Sequence, residues 1–190
     1  MNHDGSANTV SYLGGPITFT SQAQRAQWLS DGKPALQENR VRHYVRSVAK
    51  GRFSFTSSGI PFTYADVPSI PIGQATMRRV ESHLARYRPS ETLKQLGLIL
   101  ATAPLSSSGR LEAFTALAST PDLKLCGQTI DLRHRLGLSV CTYDGEQTET
   151  HVLIDPSNGK VLEVQDELHD VSSSYPGLLG GEVVEAWSFG

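Results

Sequence analysis

Two stretches decide the fold: Leu136-Gly-Leu-Ser-Val-Cys-Thr-Tyr-Asp-Gly145 and Val152-Leu-Ile-Asp-Pro-Ser-Asn-Gly-Lys-Val-Leu162. Leu136, Leu138 and Val140 alternate with other residues in the first, the second has apolar runs on either side of a turn, and each carries an Asp-Gly or Asn-Gly turn signal. A side-chain period of two places one set of residues on each face of a sheet, so these are half-buried strands. Working outward, the spacing predicts strands at about 123–131, 136–143, 148–155 and 160–168. A Ser- and Gly-rich linker, 172–181, then leads to a last strand, Val183 to Phe189.

Upstream, 74–120 reads as three helices. Met77, Val80, Leu84 and Tyr87 recur at helical spacing, Leu93 to Leu100 is apolar nearly all round, and Leu111, Phe114, Leu117 and Ala118 form a third stripe. Pro89, Pro104 and Pro121 separate them, with Ser90 and serines 106–108 as caps. Residues 9–67 read as strands: Ile17 to Thr20 and on to Leu29, a turn at Asp31-Gly32, then Leu36 to Val48 and Arg52 to Phe55. The expected whole is one α+β domain, 1–190. It is a curved antiparallel sheet, an incomplete barrel of about seven or eight strands, packed on three central helices.

Register follows if Arg133-His134, Asp144-Gly145 and Asn158-Gly159 are each two-residue loops. Leu138 then faces His151, and Leu153 faces both Leu136 and Val164. One face collects Leu125, Leu136, Leu138, Val140, Leu153 and Val164, with Leu123, Leu162 and Leu168 continuing it, and is the expected core. His151 lands opposite Asp166 on that face, with Asp131 two strands away. A carboxylate holding one imidazole nitrogen is what a general base needs, although a satisfied cross-strand pair is the commoner meaning. Cys126 lands opposite Cys141 on the other face, as a disulfide or, more commonly, as two small packing residues.

Composition narrows the chemistry. The 190 residues carry 17 Lys+Arg against 19 Asp+Glu, a net charge of −2, which speaks against a basic face for nucleic acid. Two Cys and singly scattered His suggest neither a Cys-rich zinc domain nor another metal site. No phosphate-binding, nucleophile-elbow or metalloprotease motif is written, so no cofactor is expected. The start shows no signal sequence, and the longest apolar stretch, Leu96 to Leu105, is far short of a membrane span. The expected location is cytoplasmic as written, or extracytoplasmic if the chain is trimmed from an anchored protein. The arginines at 78–88 read as a wet helix face. Trp28, Tyr44, Phe53, Phe55 and Trp187 are read in strands, as core residues or, if the sheet encloses a cavity, its lining.

The run Leu111-Glu-Ala-Phe-Thr-Ala-Leu-Ala-Ser-Thr-Pro-Asp-Leu-Lys-Leu125 resembles the helix-to-strand passage of an actinobacterial envelope-protein family, often membrane-anchored and encoded near sigma factors. Asp131 followed by Arg135-Leu-Gly137, the Asp155-Pro-Ser-Asn-Gly159 turn and Trp28-Leu-Ser-Asp-Gly32 match it too, over about 22–168. His134 departs from it, standing where the family usually has glycine. The resemblance implies a lipoprotein-carrier-like half-barrel plugged by helices, and no catalytic residues. It leads to a non-catalytic binding or regulatory module holding an apolar small molecule, lipid or peptide between sheet and helices. The alternative is a small cofactor-free enzyme of cyclase or isomerase type, with His151 and Asp166 as its acid/base pair in the half-barrel cavity and Asp131 as a third catalytic residue. A third reading is an interaction domain with a free strand edge near 17–29 or 183–189.

Overall fold

The computed structural model describes residues 5–13, 22–33, 40–48, 53–57, 60–64, 71–131, 133–143, 145, 148–168 and 177–189. Of 5–13, 40–48, 53–57, 60–64 and 177–189 only the backbone is described, so Ile17 to Thr20 and the side chains of Tyr44, Phe53, Phe55 and Trp187 lie outside the description.

The elements run β1 (Gly5–Leu13), α1 (Gln22–Ser30), β2 (Arg40–Val48), β3 (Phe53–Ser57), β4 (Ile60–Tyr64), α2 (Gln74–Leu84), α3 (Pro89–Thr102), α4 (Ser107–Ala118), β5 (Lys124–Ile130), β6 (Leu136–Tyr143), β7 (Thr148–Ile154), β8 (Val161–Leu168) and β9 (Gly177–Phe189). The class is α+β with an antiparallel sheet. The expected incomplete barrel of about seven or eight strands on three central helices is not what forms. Among the described residues there are four helices, and the strands beneath α3, β5 to β8, form an antiparallel meander of four that does not close. Backbone pairing continues from β8 through β9 and β1 to β2, while β3 and β4 pair separately.

The extra helix is α1, where a strand was expected. Gln22-Ala-Gln-Arg-Ala-Gln-Trp-Leu is rich in strong helix formers, and its polarity hid the period. Asp31-Gly32 is therefore not a hairpin turn but the helix stop. Gly32 takes φ +79°, Lys33 N donates to Trp28 O and Gly32 N to Leu29 O, the paired bonds that close a helix C-terminus. Trp28 accordingly sits half-buried on a helix, not in a strand.

Helix α3 is the centre of the core. Pro89 occupies its first turn, where a missing N–H costs nothing, so this proline opens α3, and Ser90 lies inside the helix instead of capping it. Leu93, Leu96, Leu98, Ile99 and Leu100 are all buried. Gly97 lets the helix sit directly on the sheet: a Cβ there would lie 2.7 Å from Val152 Cγ2 and 3.0 Å from Val164 Cγ2. Helices α2 and α4 pack beside it, joined where Ile72 bridges to Leu105. In α2 the stripe falls as expected, with Met77, Val80 and Leu84 buried. In α4 it falls only in part: Leu117 is buried and Phe114 packs against the core, but Gly109 and Ala113 are the other buried residues and Leu111 is 69% exposed. The α4 cap is Ser106, whose Oγ accepts from Gly109 N.

Register corrects the expected core face. His151 pairs with Cys141, three residues along β6 from Leu138, because Tyr143 pairs with Glu149 and the connection is therefore longer than two residues. An odd slip turns a strand over, so the helix-facing row is Val140, Val152, Ile154 and Val164, and Leu153 points to the other side. Leu125 and Leu136, expected in the core, are 68% and 55% exposed.

Candidate functional site

A second slip, of one residue between β7 and β8, dissolves the expected catalytic pair. On β8 the residue opposite His151 is Gln165, and Asp166 pairs with Thr150. Asp166 therefore lies on the α3 side, where Thr150 Oγ1 donates to it at 2.9 Å and Lys94 Nζ forms an ion pair with it. Asp131 joins neither group. Its buried carboxylate holds the 131–135 turn, accepting from Arg133 N and Arg135 N at 2.8 Å each and from Arg135 Nε at 2.5 Å. Arg135 Nη2 also donates to Leu162 O, so this group staples the β5–β6 turn to β8. His151, Asp166 and Asp131 are thus three separate structural positions.

The structure instead gathers His151 with both cysteines. Strand alternation puts Ser139 and Cys141 of β6, Glu149 and His151 of β7, and Glu167 of β8 on the sheet face away from α3. Cys126 reaches them because β5 bulges: Leu125 pairs with Val140 and Gly127 with Ser139, leaving Cys126 as the extra residue. Gly127 takes φ +89°, which a glycine adopts without strain. Cys126 and Cys141 form a disulfide with Cα atoms 5.9 Å apart, and their sulfurs and a ring nitrogen of His151 all lie within 4.8 Å of one another.

Each partner of the imidazole is defined. Ser139 Oγ sits 2.9 Å from Nδ1. Nε2 is buried without a hydrogen-bond partner among the described residues, with Glu149 Oε2 at 3.5 Å and Glu167 Oε2 at 3.7 Å. Glu149 Oε1 lies 2.9 Å from Cys141 Sγ, a contact in which a thiol would donate and a disulfide sulfur has no proton to give. The chain Ser139–His151–Glu149 has the residue types of a nucleophile, base and orienting acid. Ser139, however, is 1% exposed and presents no oxygen to a substrate, so the arrangement does not serve attack.

The arginines at 78–88 include one with a defined role. Arg78 Nε binds Glu112 Oε1 at 2.8 Å, linking α2 to α4, with Gln74 Nε2 on the other carboxylate oxygen. Those bonds, Arg78 first, hold the Glu112 carboxyl below its ordinary range, while burial pushes neighbouring Glu81 up. This is a helix clamp.

The bulge could not be read ahead of the structure, since no residue announces it except Gly127. The nearness of His151 was concealed by the loop length. Among the described residues no helix is long and apolar enough to cross a membrane. Comparison with known proteins found no matching family model, no similar curated protein and no similar solved structure.

Proposed function

We propose that this chain is a non-catalytic binding or regulatory module, and that its working surface is the β5 edge of the sheet, which takes an extended peptide. One observation supports this above others. Strand β5 ends the sheet, nearly all its residues are exposed, and Leu125 and Ile130 stand 68% and 55% open on it. An edge strand offers a row of backbone donors and acceptors to an incoming strand, and apolar side chains beside it reward the pairing. The resemblance to an envelope binding family agrees with a module of this kind. The seam between sheet and helices suits a ligand less well, because Gly97 brings α3 into direct contact with Val152 and Val164.

The test is selection of binders from a random peptide library on the oxidised chain, followed by hydrogen exchange. Slowed exchange at Lys124 to Ile130, and at least about tenfold weaker binding to Ile130→Lys, support the proposal. Native mass spectrometry that finds an apolar small molecule, with protection along α3 instead of β5, overturns it, as does a library that yields no β5 footprint.

A further inference from the structure

We propose that Cys126, Cys141, His151 and Glu149 form a zinc site when the cysteine pair is reduced, so that the disulfide and the metal are alternative crosslinks of the same edge strand. The inference stands on the placement of these four residues and does not need β5 to bind a peptide.

The donor set comes first. Two thiolates, one imidazole and one carboxylate suit a tetrahedral, borderline-soft ion, and zinc takes this set in proteins. The two sulfurs and a ring nitrogen already lie within 4.8 Å of one another. A tetrahedral zinc with bonds of about 2.3 Å holds its sulfurs roughly 3.8 Å apart, close to the separation that two reduced sulfurs adopt by van der Waals contact. Glu149 is the fourth ligand because its two oxygens flank the gap: one lies 2.9 Å from Cys141 Sγ, the other 3.5 Å from His151 Nε2. Glu167 approaches only the imidazole, at 3.7 Å.

The second layer agrees. Imidazoles that bind metal through one nitrogen are held at the other by a hydrogen bond, which sets tautomer and ring orientation. Ser139 Oγ occupies Nδ1 in this way, at 2.9 Å, and Nε2 is the buried nitrogen without a hydrogen-bond partner. A buried polar nitrogen left unpaired is destabilising, and a metal ion would take up its lone pair.

Access is asymmetric: Cys126 is exposed and Cys141 fully buried. A dithiol reductant attacks Cys126 Sγ as thiolate. The Cys126–Cys141 bond breaks, its electron pair leaves on Cys141 Sγ, and that sulfur takes a proton. The reductant's second thiol then closes on its first, releasing Cys126 with a second proton, so two electrons and two protons pass to the cysteines and the reductant becomes a cyclic disulfide. Zinc binding next displaces both thiol protons to solvent.

The experiment uses the full chain, reduced with a phosphine and freed of reductant, and titrated with Zn²⁺ against a chromophoric chelator. Co²⁺ serves as the spectroscopic probe. The expected result is one metal per reduced chain, two protons released, and a thiolate-to-cobalt charge-transfer band, with no binding to the oxidised chain. Glu149→Gln and Ser139→Ala should each weaken binding about tenfold or more. His151→Ala should weaken it further, with circular dichroism confirming that the fold persists. If His151→Ala does not fold, the other two variants decide the matter. A reduced chain that binds no metal, equal binding by the oxidised chain, or affinity unchanged in the folded variants overturns the proposal.

Discussion

Two aspartates show how differently one residue type acts in this chain. Asp131 is buried and holds its turn with charge-assisted bonds to two backbone amides and a guanidinium. Asp131→Ala strands those donors and should cost roughly 2–3 kcal/mol, measured by urea unfolding. Asp155 is exposed in the β7–β8 turn and accepts from Ser157 Oγ at 2.6 Å, Ser157 N at 2.8 Å and Asn158 Nδ2 at 2.7 Å. The Ser157 hydroxyl first, then its amide, hold the Asp155 carboxyl below the ordinary value of 3.8. Because the folded value is the lower one, the carboxylate adds stability above about pH 3.8, lost as pH falls through the folded value. An NMR titration of the side-chain carboxyl should show it moving up in Ser157→Ala. Unfolding followed against pH should have a flatter acid limb in Asp155→Asn. An unmoved titration in Ser157→Ala would remove the hydroxyl as the cause.

At the scale of elements, two helical glycines decide how closely the layers approach. Alanine is normally the better helix former by about 1 kcal/mol. At Gly97 that gain is opposed by a Cβ 2.7 Å from Val152 Cγ2, and Val152 is itself fully buried and cannot yield. Overpacking of this kind costs about 1–3 kcal/mol, so Gly97→Ala should be net destabilising by roughly 1–2 kcal/mol. Gly109 is tighter still: a Cβ would lie 2.1 Å from Ile72 O, a backbone oxygen that also accepts from Ser106 N. Gly109→Ala should therefore cost more than Gly97→Ala in the same denaturation series, because α4 must move away from the Ile72–Leu105 bridge. Equal or opposite ranking would show that the helices slide freely over one another.

For the molecule as a whole, the crosslink between β5 and β6 matters more than any one contact. It closes a short stretch, with a sequence separation of 15, which constrains the unfolded chain by about 3 kcal/mol. Cys126→Ser should lower stability by that order under oxidising conditions and change nothing in the presence of reductant without metal. Adding Zn²⁺ to the reduced chain should restore stability to the natural chain and not to Cys126→Ser. A thermal-unfolding comparison of the four conditions reads both effects.

Much of this was legible in residue order. The four strands from 124 to 168, the helical period of Met77, Val80 and Leu84, and the stop at Gly159 follow from local periodicity and turn chemistry, which depend only on neighbours in the chain. The helix at Gln22–Ser30 was legible in principle, through propensity, but its polar surface carries no apolar stripe. Register was not legible. The pairing of Tyr143 with Glu149 and the bulge at Cys126 depend on how strands distant in sequence pack together, which no local pattern records. An odd slip turns a strand over: the one between β7 and β8 separates His151 from Asp166, and the one between β6 and β7 brings it to Cys141. Sequence by itself determined most of the elements; tertiary packing alone decided that Cys126 and Cys141 bond and that they share a face with His151 and Glu149.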